Sequence, residues 1–136
     1  MSTVCPLEVA LSESLRVLVV DDNQDAADCQ AMLLRLWGHK AEVAYDGTQA
    51  IDLAESFKPQ AVILDICMHG MHGGEVARHF RQSDASKGAL IIAITGHSSS
   101  DPRVVAWQDY FDAILSKPSG IAQIQSLLAG HVAAKT

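Results

Sequence analysis

Five polar residues in this chain each stand at the end of an apolar run, and together they could hold a divalent metal beside a phosphoryl group. Arg16–Val20 runs into Asp21 and Asp22, Ala61–Leu64 into Asp65, Leu90–Ile94 into Thr95, and Ala113–Ser116 into Lys117. If these runs are strands of one parallel sheet, three carboxylates, a hydroxyl and an ammonium meet at one edge. Carboxylates about 4 Å apart repel by several kcal/mol at an effective dielectric of about 20, so the cluster requires a proton or a cation. Lys117 supplies one positive charge against three negative ones. Hard oxygen donors with room left for water favour Mg²⁺. Beside that ion a carboxylate can attack phosphorus and become an aspartyl phosphate. Asp65, alone at its strand end, is the expected nucleophile, while the adjacent Asp21 and Asp22 suit the metal. Thr95 and Lys117 would then hydrogen-bond the phosphoryl oxygens and offset their charge.

Each residue alone has an ordinary use. Asp22 or Asn23 could cap a helix, Thr95 with Gly96 could begin a loop, and a lone lysine is usually solvated. The conjunction at four run ends is what makes the chemistry specific.

The elements that would position these residues alternate in period. Short β-branched runs are followed by stretches with apolar residues three and four apart. The spacing predicts a helix over Gln24–Trp37 with Ala27, Met32, Leu33 and Leu36 near one face, closed by Gly38. Ala41–Ala44 reads as a brief strand, and Thr48–Phe57 as a helix carrying Ala50, Ile51, Ala54 and Phe57, ended by Lys58-Pro59. After the Gly-rich stretch His69–Gly74, a helix from about Glu75 to Gln82 would bury Val76, Ala77 and Phe80. Asp101 is the expected N-cap of a fourth helix, with Pro102 at its first position. A last helix over about Ser119–Ala129 would bury Ile121, Ile124, Leu127 and Leu128 and end at Gly130. Five strands alternating with five helices predict an α/β fold, a doubly wound parallel sheet covered on both faces, with its ligand at the carboxyl ends of the strands.

Bulk properties narrow the function. A chain of 136 residues, 49% apolar and 19% charged, suits one domain with a proper core. The expected divisions are a leader over 1–14, the domain over 15–130 and a tail over 131–136. A net charge of −6 argues against general binding to nucleic acid or an anionic membrane. No apolar stretch reaches the roughly 18 residues of a membrane span, and Met1–Ser14 has two acids and no base, unlike a signal peptide. Three cysteines without paired spacing read as reduced thiols in a cytoplasmic protein. His69 and His72 form an H-x-x-H pair with no third ligand nearby in sequence, where zinc usually takes three or four.

The motifs V-L-V-V-D-D-N, V-I-L-D-I-C-M, I-I-A-I-T-G and I-L-S-K-P occur in that order, with 30 positions from Asp65 to Thr95 and 22 from Thr95 to Lys117. Over about Leu15–Leu128 the chain resembles the receiver domain of two-component response regulators. The resemblance implies a flavodoxin-like sheet of order 2-1-3-4-5. It implies Asp65 as phosphoacceptor, Asp21, Asp22 and Asp65 as Mg²⁺ ligands with the backbone carbonyl of Cys67, and Thr95 and Lys117 as the groups that read the phosphoryl oxygens. A cis Lys117–Pro118 bond also follows from it. The implied partner is a histidine kinase or histidine phosphotransfer protein. The implied activity is that of a switch, not an enzyme, with only Mg²⁺-dependent self-phosphorylation and self-dephosphorylation.

Departures from the family pattern are local. The loop commonly reading Met-Pro-x-Met-Asp-Gly is Met68-His69-Gly70-Met71-His72-Gly73 here, and losing the proline while gaining Gly70 predicts greater mobility. The switch position three before the lysine, usually Tyr or Phe, is Ile114. Tyr110-Phe111-Asp112 replaces a Gly-containing segment, so the fourth helix should end differently. Trp107 reads either as core or as a partner contact, and both readings stand. His97, two after Thr95, is expected to tune dephosphorylation. A small phosphatase would need an acid two after the nucleophile, where Cys67 stands. A pseudo-receiver would not need the full acid, hydroxyl and lysine set. A stand-alone regulator and a receiver segment of a hybrid sensor kinase fit the sequence equally.

Overall fold

The computed structural model describes residues 14–66, 72–96, 102–116 and 121–135. Cys67, Met68 to Met71, His97, Asp101, Lys117 and Pro118 lie outside them. Five strands are present: β1 (Arg16–Val20), β2 (Lys40–Ala44), β3 (Ala61–Asp65), β4 (Leu90–Thr95) and β5 (Ala113–Ser116). All pair in parallel, in the order β2-β1-β3-β4-β5. Among the described residues, four helices of ten residues or more accompany them: α1 (Gln24–Leu36), α2 (Gly47–Phe57), α3 (Gly73–Gln82) and α5 (Ile121–Lys135). The segment α4 (Pro102–Val105) is a single turn, followed by a 3₁₀ turn at Gln108–Tyr110. The flavodoxin-like order expected from the resemblance is therefore present, with the fourth helix reduced.

Alternation along the strands sorts the core into two layers. Val17, Val19, Ala61, Ile63, Ile92 and Ile94 face Ala27, Ala31 and Leu34 of α1 and Ile124 and Leu128 of α5. Leu18, Val20, Val62, Leu64, Ile91 and Ala93 face Ala50 and Ala54 of α2 and Val76, Ala77 and Phe80 of α3. Ile66 and Val104 complete that second layer. Because both faces are covered, the central strands are apolar throughout, which is why they read as continuous runs.

Three expectations about the helices are corrected. The buried stripe of α1 is Ala27, Ala31 and Leu34, whereas Met32 and Leu36 are 61% and 65% exposed. Positions 27, 31 and 34 share one face at 3.6 residues per turn, and positions 32 and 36 lie about 130° and 170° around from it. Two alanines let the helix approach the sheet closely, so size alone misdirects the choice of face. Secondly, α5 passes through Gly130 to Lys135, since one interior glycine costs only about 1 kcal/mol against the helix formers around it. Thirdly, α3 begins at Gly73, with His72 as its N-cap.

The fourth helix ends early because Asp112 is captured elsewhere. Its backbone N–H donates to the carbonyl of Ile91 (2.9 Å), and its carboxylate accepts from the Ile91 N–H (2.8 Å) and from Arg81 (2.7 Å). Phe111, just before it, enters the core. A longer helix would pull both residues away from the start of β4.

Candidate functional site

Register brings the acidic residues together. Val20 pairs with Leu64, so Asp21 and Asp65 emerge from neighbouring central strands. Asp65 lies beside Ile94, and the Ile66 N–H donates to the Ile94 carbonyl at 3.0 Å, which sets Thr95 at the end of the next strand. Carboxylate oxygens of Asp21, Asp22 and Asp65 lie within 4.8 Å of one another. Asp21, Asp65 and Thr95 are buried, and Asp22 is half-buried. Thr95 pairs with Ser116, the last residue of β5. Lys117 is next in the chain but outside the described residues, as is Cys67.

Helix capping falls to the neighbour of the acids. The Asn23 side chain accepts the Ala26 N–H (3.1 Å) at the start of α1, and Asp21 accepts the Asn23 N–H (3.0 Å). The first of these bonds gives the cap to Asn23 and not Asp22. The second orients the Asp21 carboxylate from below. Three hard oxygen donors of this spread suit a small octahedral cation, whose opposite ligands stand about 4 Å apart.

Two features beside the acids were missed by sequence reasoning. His72 caps α3 through Nδ1, which accepts the Gly74 N–H at 2.9 Å. Read for metal binding, it has its Nδ1 committed to the backbone. Trp107 is half-buried, with its ring stacked on His72 at 5.7 Å between centroids and an interplanar angle of 27°. A Cβ on Gly74 would overlap the indole. The adjacent Gly73-Gly74 pair was the available signal, since consecutive glycines opening a helix need a steric reason. Ile114, paired with Ala93, packs on the same core layer as Trp107 and Tyr110.

Residues 17–129 match the response regulator receiver domain family. The chain belongs to that family. It is 32% identical over 111 residues to response regulator MprA of Mycobacterium bovis, covering 82% of this chain and 47% of that protein. It is 35% identical over 112 residues to a response regulator receiver protein of Anaeromyxobacter, covering 82% of this chain and 46% of that one. The chain thus spans about half the length of these curated relatives. Among solved structures it is similar to response regulator TrrA of Thermotoga maritima in complex with Mg²⁺-BeF, with a TM-score of 0.73, 29% identity and coverage of 85% and 97% of the two chains. The receiver domain of sensor histidine kinase PA1611 from Pseudomonas aeruginosa, with magnesium coordinated in its active-site cleft, shares the fold at a TM-score of 0.77 and 24% identity, covering 88% and 98%. Receiver domains are signalling switches, and no helix among the described residues is long and apolar enough to cross a membrane.

Proposed function

We propose that the chain is a phosphoacceptor switch, taking a phosphoryl group from a phosphohistidine of a histidine kinase or histidine phosphotransfer protein in the cytoplasm. The observation that carries this reading is the set of three carboxylates within 4.8 Å, at adjacent strand ends, with buried Thr95 at the next. An Asp65 carboxylate oxygen attacks phosphorus, the P–N bond breaks, and its electron pair leaves on the imidazole nitrogen. Asp21, Asp22 and Asp65, with the backbone carbonyl of Cys67, would hold Mg²⁺. Bound there, the ion would neutralise charge on the transferring group. The Thr95 hydroxyl and the Lys117 ammonium would hydrogen-bond the phosphoryl oxygens. The Mg²⁺-BeF complex of TrrA, at 29% identity, supports the same use of the corresponding edge.

Incubation with Mg²⁺ and acetyl phosphate, followed by intact-mass measurement, tests the reading. A gain of about 80 Da, one phosphoryl group, should appear and be absent in Asp65→Ala. Failure to form that adduct at any donor concentration would refute the assignment.

A further inference from the structure

We infer that Trp107 is a positioning residue for this site, holding the segment after Asp65 against the segment after Thr95 in a seat that changes on phosphorylation. The inference rests on the phosphoacceptor reading above.

The contacts run from the acceptor outward. The Gly73 N–H donates to the Ile66 carbonyl at 3.1 Å. A Cβ on Gly73 would come 2.6 Å from the Ile66 Cα and 2.9 Å from the Asp65 carbonyl oxygen. The first residue of α3 is thus packed directly on the backbone of the acceptor. Gly74, the next residue, is overlaid by the indole of Trp107. The same ring stacks on His72, lies 5.6 Å beneath the Arg78 guanidinium, and meets Tyr110 at 6.0 Å. On the other side, the Trp107 backbone N–H donates to the Val104 carbonyl at 3.1 Å, so the residue carrying the ring closes the turn that follows α4.

Two consecutive glycines therefore serve two different close approaches, one to the acceptor strand and one to the tryptophan. Nothing larger fits at either place without displacing its neighbour. The start of α3 and the turn at Val104–Trp107 meet at this ring, on the core layer that Ile114 also packs against. Where the family usually has an aromatic ring at the Ile114 position, this chain has none, and its large ring sits one segment earlier. A half-buried indole held by stacking and a cation–π contact can be reseated at modest cost. Sites joined through one such two-position element are coupled in both directions.

The test uses Trp37→Phe, which leaves Trp107 as the single tryptophan of the chain's two. Emission and acrylamide quenching are followed with Mg²⁺ and acetyl phosphate while adduct formation is measured by intact mass. Trp107 signals that rise and decay with the adduct, and stay flat in Asp65→Ala, are expected. Adduct formation with a silent Trp107 overturns the inference and leaves the phosphoacceptor function standing. Absence of any adduct overturns both. Gly74→Ala, which expels the ring without altering it, and Trp107→Ala should each change the affinity for beryllofluoride in Mg²⁺ by about fivefold or more. Trp107→Phe should stay within about twofold, because a ring still fills the seat. Equal affinities in all three variants and the parent would show that Trp107 is only packing.

Discussion

Replacing Asp22 by Asn should stabilise the metal-free protein and weaken its response to Mg²⁺, two effects of opposite sign from one atom exchange. Asp22 is the half-buried member of a trio whose oxygens lie within 4.8 Å. At that distance each carboxylate pair repels by about 3 kcal/mol at an effective dielectric of about 20. Asp22 enters two such pairs. Solvent screening at a half-buried position reduces the sum, leaving a net relief of about 1–2 kcal/mol. For a domain of this size that corresponds to a rise in Tm of about 3–6 °C. A ligand present at about a hundred times its dissociation constant adds about 2.7 kcal/mol to the parent protein. With one oxygen donor neutralised, that gain should fall by more than half. Thermal unfolding followed by circular dichroism, in EDTA and in millimolar Mg²⁺, reads both effects. A variant no more stable than the parent in EDTA would refute mutual repulsion among the acids. An unchanged Mg²⁺ increment would remove Asp22 from the metal site.

Three further outcomes follow from the packing and the titratable groups. Arg81 donates to the carbonyls of Tyr110 (3.2 Å), Lys87 (3.0 Å) and Ala89 (2.7 Å) and pairs with Asp112 (2.7 Å), so Arg81→Met should cost about 2–3 kcal/mol in urea unfolding; a loss below about 0.5 kcal/mol would contradict its role as a staple. Leu34→Ala should cost about 2–4 kcal/mol and Leu36→Ala less than about 0.5 kcal/mol, and the reverse ranking would overturn the assigned buried face of α1. Burial holds the His39 imidazole below its ordinary pKa of 6.5, and its Nδ1 accepts the Leu15 N–H at 3.0 Å. The neutral ring therefore contributes stability above pH 6.5 that is lost as pH falls through that value toward the lower folded-state pKa. The urea midpoint should drop between mildly alkaline and mildly acidic buffer, and drop less in His39→Asn, which keeps an acceptor without the proton site. Equal drops would refute it.

The grouping of the acids was more legible in the sequence than the packing around it. Asp21, Asp22, Asp65 and Thr95 could be grouped because a parallel sheet sends every strand's carboxyl end to one edge. Covered on both faces, its strands also stand out as apolar runs. The buried side of α1 was not legible by the same means, because Ala27 and Ala31 are chosen for close approach and carry little apolar area of their own. The end of the fourth helix was legible only as a departure. Its cause, the capture of Asp112 by Ile91 and Arg81, joins residues 21 and 31 positions apart.

The same distinction explains why Trp107 was left open between core and contact. A residue that acts at a strand end can be assigned from its own run, whereas a ring that acts by seating needs its seat. That seat, Gly74, is 33 positions away and marked only by the absence of a side chain. His72 shows the complementary case. Its type invited a ligand reading, but its place before Gly73 and Gly74 makes its Nδ1 the acceptor that starts α3. Once the helix is started there, Gly73 rests on Ile66 and Gly74 lies under the indole. The departures at His72, Ile114 and Tyr110 are then one arrangement, since each adjoins or faces the core layer on which Trp107 sits. On the inference above, the acids at the strand ends are linked to this face through Gly73, Gly74 and the ring of Trp107, and not through position 114 of β5.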